Sequence, residues 1–110
     1  MTDALFLSSE DVTGLASPAD YVDAVREGYR QRGEGAPAAL RTKLMNEEPP
    51  GMFTGYSAIL PETGAMGGYM YAAGFGRRDA QFALPLFDAE SGALLALLDG
   101  ASFNPFKTGA

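Results

Sequence analysis

The sequence predicts an α+β fold in which one long N-terminal helix packs on a mixed, mainly antiparallel sheet. A capped amphipathic segment begins at Ser17-Pro18, and strand-like segments separated by Gly- and Pro-rich turns follow it. Residues 93–98 are apolar on both sides, which is typical of a strand in the middle of a sheet. With 110 residues, 46% hydrophobic and 20% charged, the chain has the composition of one globular domain, assigned to residues 1–110.

The first elements are a short strand and two capped helical segments. We expect residues 4–7 to form the strand and Ser8 to cap a single helical turn. Ser17 repeats this pattern as the N-cap of the long helix, with Pro18 at its first position, and Gly33 and Gly35 end the helix. The residues that share its apolar face are Tyr21, Val22, Val25 and Tyr29.

The remaining strands are predicted at residues 39–45, 52–60, 65–73 and 81–87. In the first of these, alternation places Leu40, Thr42 and Leu44 on one face and Arg41 in mid-strand on the other. Pro85 lacks an N–H group, so its part of the strand should lie at a sheet edge or at a bulge. The turn that follows carries acids, such as Asp88, that are expected to cap backbone amides.

Asn104-Pro105 near the end of the chain is the signature of a helix start, with Asn as the N-cap. The sequence stops at Ala110, about one turn later, and an isolated helical turn is not stable in water. We therefore expect a truncated domain whose last helix continues beyond residue 110.

Charge and composition restrict the partners. The net charge of −6 disfavours nucleic acid, since phosphate binding requires a basic surface. The longest apolar run is far below the roughly 20 residues of a membrane helix, so no membrane partner is expected. The absence of cysteine excludes disulfides and favours the cytoplasm. The acidity indicates either a solubilising surface or adaptation to high salt.

The residues available for chemistry are few. Without His or Cys, the usual general bases, metal ligands and thiol nucleophiles are absent, and no metal site is expected. Gly74-Phe75-Gly76 is interpreted as a turn. Arg41 is either a solvated or ion-paired side chain or a fork for a substrate carboxylate. Lys107 in the first helical turn either extends to solvent or accompanies an anion bound at the helix N-terminus.

Four segments of the sequence resemble, in the same order, motifs of the ornithine cyclodeaminase / mu-crystallin family. ALRTKL resembles P-x-R-T-x-L, and AILPETGAMGGY resembles L-P-x-x-x-A-L-G-x-K. LFDAESGALLALL is similar to L-x-D-x-x-T-G-x-P-L-A-L, and DGASFNPFKTGA to D-G-x-x-L-T-x-x-R-T-G-A. The resemblance implies the N-terminal part of a substrate-binding and dimerisation domain, without the Rossmann domain that follows in the family.

The resemblance also implies roles for individual residues. Substrate binding falls on Arg41, on Tyr69, which replaces a lysine of the family, and on Lys107, which replaces an arginine. Cofactor contacts fall on Lys107, Thr108 and, in a shortened loop, Asp79, while the catalytic residue is expected beyond Ala110. Two of the three charged positions have thus changed type.

The resemblance therefore implies part of an NAD- or NADP-dependent enzyme that acts on a small amino, imino or keto acid and forms a homodimer. The chain alone should be inactive. The alternative is a non-enzymatic module that binds a small ligand or mediates dimerisation.

Overall fold

The computed structural model describes residues 4–76 and 80–99, which form a six-stranded mixed sheet and two helices. The elements are β1 (Leu5–Leu7), α1 (Ser9–Val12), α2 (Pro18–Gly33), β2 (Thr42–Asn46), β3 (Gly51–Leu60), β4 (Ala65–Gly74), β5 (Gln81–Asp88) and β6 (Leu94–Asp99). No helix of the described ranges is long and apolar enough to cross a membrane.

The strand order is β1-β6-β5-β4-β3-β2. Strands that follow one another from β2 to β6 are joined by short connections and pair antiparallel, whereas β1 pairs parallel with β6. β6 therefore lies inside the sheet, as its apolar sequence predicts. The β3–β4 ladder is the longest and runs without interruption from Gly51 opposite Gly74 to Leu60 opposite Ala65.

Both helices begin with a capping box. The Ser17 hydroxyl accepts a hydrogen bond from the Asp20 amide at 3.2 Å, and the Ser17 amide donates to Asp20 Oδ2 at 2.8 Å. Ser8 and Asp11 repeat these bonds at α1. Each box satisfies backbone donors that a helix start leaves free, which fixes where the helix begins.

The sequence alternation predicted Arg41 in mid-strand, but Arg41 lies just before β2 begins. Ala38 forms a bridge with Ala58, and pairing resumes at Thr42 opposite Gly55, so three residues on one side face two on the other. This extra residue is a β-bulge that ends the regular alternation before β2 begins. β2 is moreover an edge strand with every residue exposed.

Pro85 lies in an interior strand, so its predicted position at a sheet edge is wrong and the bulge alternative fits better. The register of β5 against β6 shifts between Leu86 and Phe87, directly after the proline. The ladder with β4 is also interrupted beside it, resuming at Met70 opposite Ala83. Because proline has no N–H group to donate, a break in the ladder is the arrangement that tolerates it.

The two faces of the sheet differ in cover. The aromatic face carries Tyr56, Tyr69 and Phe82 and lies beneath α2, whose Val25 and Tyr29 line a cleft with Tyr56. The opposite side, here called the open face, exposes large apolar side chains; these are Phe6, Leu44, Phe53, Met70 and Leu97.

The buried apolar core of the described residues is small, consisting of Val12, Ala36, Tyr69 and Ala96. The predicted apolar face of α2 is only partly buried, since Tyr29 is 75% exposed. The most buried residue of the helix is instead the polar Gln31, at 2% exposure.

Candidate functional site

A row of aromatic side chains crosses the middle of the sheet. Tyr56 of β3 is directly opposite Tyr69 of β4, and their ring centres lie 5.7 Å apart in an edge-to-face arrangement. The Phe82 ring of β5 lies 5.5 Å from Tyr69 in a similar arrangement. Aromatic pairs at these separations stabilise the fold by more than the burial of their surface area alone. The row therefore forms a packed surface beneath α2.

Arg41 lies at one end of this row. Its guanidinium carbon is 5.6 Å from the centre of the Tyr56 ring, within the range of a cation–π interaction. The bulge before β2 leaves Arg41 just outside the strand, and because Thr42 pairs with Gly55 of the open face, Arg41 projects to the aromatic face. The ring orients the guanidinium while leaving its N–H donors available.

A cleft of about 620 Å³ opens between α2 and the aromatic face. Its polar side chains are Arg32, Arg41, Tyr29 and Tyr56, and the rest of its wall is apolar or glycine. No Asp or Glu lines it among the described residues. Its volume is in the range of small-molecule sites, and its charge favours an anionic ligand.

Tyr69 occupies the centre of the aromatic row rather than the cleft. It is 4% exposed, and burial, followed by the neighbouring Tyr56 and Tyr21, raises the pKa of its hydroxyl well above the ordinary value. Tyr69 is therefore neutral at pH 7 and does not replace the positive charge of the lysine that the family resemblance implies at this position.

The structure brings two of the predicted site residues together through a third. Tyr56 contacts Arg41 with its ring face at 5.6 Å and packs edge to face against Tyr69 at 5.7 Å. Burial raises the pKa of Tyr56 while the charge of Arg41 opposes that shift. The other predicted residues, Asp79, Lys107 and Thr108, lie outside the described residues, as do Asn104 and the helix expected there.

Two predicted turns are observed. They account for the acid at Asp88 and for the glycines of 74–76 without a catalytic role. Asp88 Oδ1 accepts from the amides of Glu90 at 2.7 Å and Ser91 at 3.3 Å, as expected for a capping acid. Gly74 and Gly76 have positive φ values of 86° and 76°. Within residues 4–76 and 80–99, no cluster of His, Cys, Asp or Glu could hold a metal ion.

The position of α2 over the cleft is fixed by contacts with the β3–β4 turn. The Gln31 amide nitrogen donates to Thr63 Oγ1 at 2.7 Å, and its oxygen accepts from the Glu62 amide at 3.2 Å. On the helix surface Arg30 pairs with Glu27 at 2.6 Å and with Glu62 at 2.9 Å. The buried amide and the surface ion pairs together hold the helix wall of the cleft.

Tyr56 and Arg32 were missed by the sequence reasoning. A signal for Tyr56 was present, because its strand alternates and its register to β4 follows from the tight turn at 61–64. Arg32 carries no such signal, since a basic residue in the last helical turn is favourable for the helix dipole alone.

No protein-family model matches the sequence, and no curated protein matches it. Solved structures do match: a probable ornithine cyclodeaminase from Bordetella pertussis Tohama I has 20% identity and a TM-score of 0.85. The Thermococcus litoralis Δ1-pyrroline-2-carboxylate reductase in complex with NADH and L-proline has 24% and 0.84. An archaeal alanine dehydrogenase dimer with bound NAD has 25% and 0.85.

Each match covers 96% of this chain. This chain spans only a third of the matched proteins, 33% of the first and 34% of the other two. The fold of the described residues is therefore found again within a part of these larger proteins.

Proposed function

We propose that this chain, which has the fold of the ornithine cyclodeaminase / mu-crystallin family, is the substrate-orienting part of an NAD- or NADP-dependent enzyme acting on a small amino or imino acid. The observation that carries the proposal is Arg41, held against Tyr56 at a cleft with no acidic residue among its described lining. A planar guanidinium binds a carboxylate through two parallel hydrogen bonds, which sets the orientation of the substrate as well as its affinity.

The nicotinamide cofactor, when bound, would accept or supply a hydride at the α-carbon. The described residues do not themselves fit a dinucleotide: the glycines of 74–76 form a turn after β4 rather than the start of a helix. Arg41 would hold the carboxylate, and Lys107 and Thr108 would lie beside the cofactor by resemblance. A cytoplasmic location stays a prediction.

The test is a spectrophotometric assay on the full-length protein, which here means this chain together with the residues that the proposal expects after residue 110. NADH or NADPH is mixed with cyclic imino acids, or with small 2-oxo acids and ammonium, and oxidation is followed at the nicotinamide absorbance. The proposal expects turnover with at least one of these carboxylates. It also expects a strand followed by a G-x-G-x-x-G/A turn within about one βαβ unit after residue 110.

The second candidate is a non-enzymatic module that binds a small ligand. It is favoured by the neutral, buried Tyr69 at a position where the family resemblance implies a lysine. Carboxylate binding that depends on Arg41, without nicotinamide turnover for any substrate tried, would select this candidate.

We also propose a homodimer. Its support is the open face, where Phe53 and Met70 are 43% and 49% exposed in the middle of the sheet, and exposed apolar patches of this kind mark association surfaces. Met70→Glu should lower the mass measured by light scattering from dimer to monomer, whereas Leu15→Glu, an exposed residue of the α1–α2 loop, should not.

A further inference from the structure

Two guanidinium groups, not one, line the cleft under α2. Arg32 lies in the last turn of α2, and its Nη1 donates to the carbonyl oxygen of the buried Ala36 at 3.0 Å. That bond uses one of the five N–H donors of the side chain, so the group is held at one corner while the others can meet a ligand.

Neither group is neutralised within the described part of the chain. Arg26 pairs with Asp23, and Arg30 pairs with three glutamates, but Arg32 and Arg41 have no ion pair among these residues. The cleft thus gathers two positive charges in a chain whose net charge is −6. Two positive charges that line the same cleft both attract an anion placed there.

The helix dipole explains why a basic residue stands at position 32, but it does not explain why the side chain lines the cleft. A basic residue in the last turn of a helix is favourable for the helix dipole, and the Ala36 carbonyl gains a donor. Arg30 already supplies a charge in that turn, however, and it turns toward the glutamates instead of the cleft. The dipole does not explain why Arg32 shares an acid-free cleft with Arg41.

We propose that this cleft selects a ligand with two anionic groups, namely a dicarboxylic amino or imino acid, with Arg41 binding the α-carboxylate and Arg32 the second carboxylate. The inference rests on the proposed function and narrows its substrate class. The cleft is also lined by apolar side chains, including Val25, Ala58 and Leu60, which suit a short aliphatic spacer.

The test is isothermal titration of the full-length protein with L-aspartate and L-alanine. The expected result is that L-aspartate binds about tenfold more tightly or better, the gain of one charge-assisted contact. Arg32→Gln should lower L-aspartate affinity until the preference for L-aspartate over L-alanine is lost. The matched control is Arg26→Gln, on the same helix outside the cleft, which should retain the preference.

Arg32→Glu provides a second readout, because it should reverse the selection in favour of L-ornithine over L-aspartate. Equal wild-type affinity for L-aspartate and L-alanine, or a preference that survives Arg32→Gln, would overturn the inference. If L-alanine still binds in an Arg41-dependent manner in that case, the proposed function stands. If neither ligand binds, or Arg41→Gln changes nothing, the proposed function fails together with the inference.

Discussion

The guanidinium carbon of Arg41 lies 5.6 Å from the ring centre of Tyr56, although the two residues belong to different segments of the sheet. The contact joins a side chain released by the bulge to the aromatic row that crosses β3, β4 and β5. It gives an exposed arginine a preferred direction before any ligand arrives, which reduces the entropy lost on binding.

The first prediction concerns this contact. Tyr56→Leu removes the ring and should weaken carboxylate binding by about two- to fivefold, the range of a cation–π interaction near the surface. Tyr56→Phe keeps the ring face and should retain most of the affinity. Titration of both variants with one carboxylate checks this, and equal losses in the two would show that the ring face does not orient Arg41.

The second prediction concerns Gln31, which fixes the helix wall of the cleft. Gln31→Leu leaves the Glu62 amide without its acceptor and Thr63 without its donor, and should destabilise the fold by about 1–3 kcal/mol. Denaturant unfolding measures the change. The matched control is Gln81→Leu at the exposed start of β5, and a loss equal to that of the control would contradict the proposed anchoring.

The third prediction is a pH dependence at the same helix. Hydrogen bonds from Arg30 and then Gln31 lower the pKa of Glu27 to about 2. A carboxyl whose pKa is lowered by folding stabilises the folded state above its unfolded pKa, and this contribution is lost as pH falls through the folded pKa. The window therefore lies between about pH 4.5 and 2.

Thermal unfolding at several pH values checks this. The difference in midpoint between wild type and Glu27→Gln should be constant at neutral pH and shrink within that window. Glu90→Gln, on the β5–β6 turn and outside the ion pairs of α2, is measured in parallel as the control. A difference that persists unchanged to pH 2 would show that Glu27 does not carry the effect.

The fourth prediction compares two glycines. A Cβ at Gly68 would overlap the Tyr56 carbonyl oxygen and lie 2.8 Å from Ser57 Cα, both backbone atoms that cannot move aside. Gly68→Ala should therefore destabilise the protein by about 2 kcal/mol or more. A Cβ at Gly28 in α2 meets nothing within 4 Å, so Gly28→Ala should stabilise it by about 0.5–1 kcal/mol. Similar effects of both changes would contradict the close β3–β4 approach.

Much of the fold could be predicted because its signals are local. The caps at Ser8 and Ser17 depend on residues three positions apart, and both boxes are present. The doubly apolar strand indicated an interior place, and β6 has one. The family motifs likewise implied a fold that is found in the solved structures this chain matches.

The remaining features depend on contacts distant in sequence. The bulge before β2 follows from how residues 38 and 42 pair with β3, which alternation within one segment does not reveal. The burial of Gln31 follows from a turn more than 30 residues away. Tyr29 looks like a core residue by helical spacing, yet it ends at the mouth of the cleft because nothing in the described ranges covers it.

The candidate site likewise combines residues that the sequence predicted with contacts that only the fold reveals. Arg41 and Tyr69 were predicted by motif, but the relation between them passes through Tyr56, a neighbour by register rather than by sequence. The second cation, Arg32, enters the cleft only because α2 is held over the aromatic face by its contacts with the β3–β4 turn.

The measurement that tests the account most directly is a titration of the full-length protein with small amino and keto acids, comparing wild type with Arg41→Ala. The matched control is Lys43→Ala, which removes a neighbouring exposed cation on edge strand β2 and leaves Arg41 in place. The account predicts that Arg41→Ala lowers carboxylate affinity by about tenfold or more and that Lys43→Ala does not. Unchanged affinity in Arg41→Ala would remove Arg41 from the site and contradict the central claim.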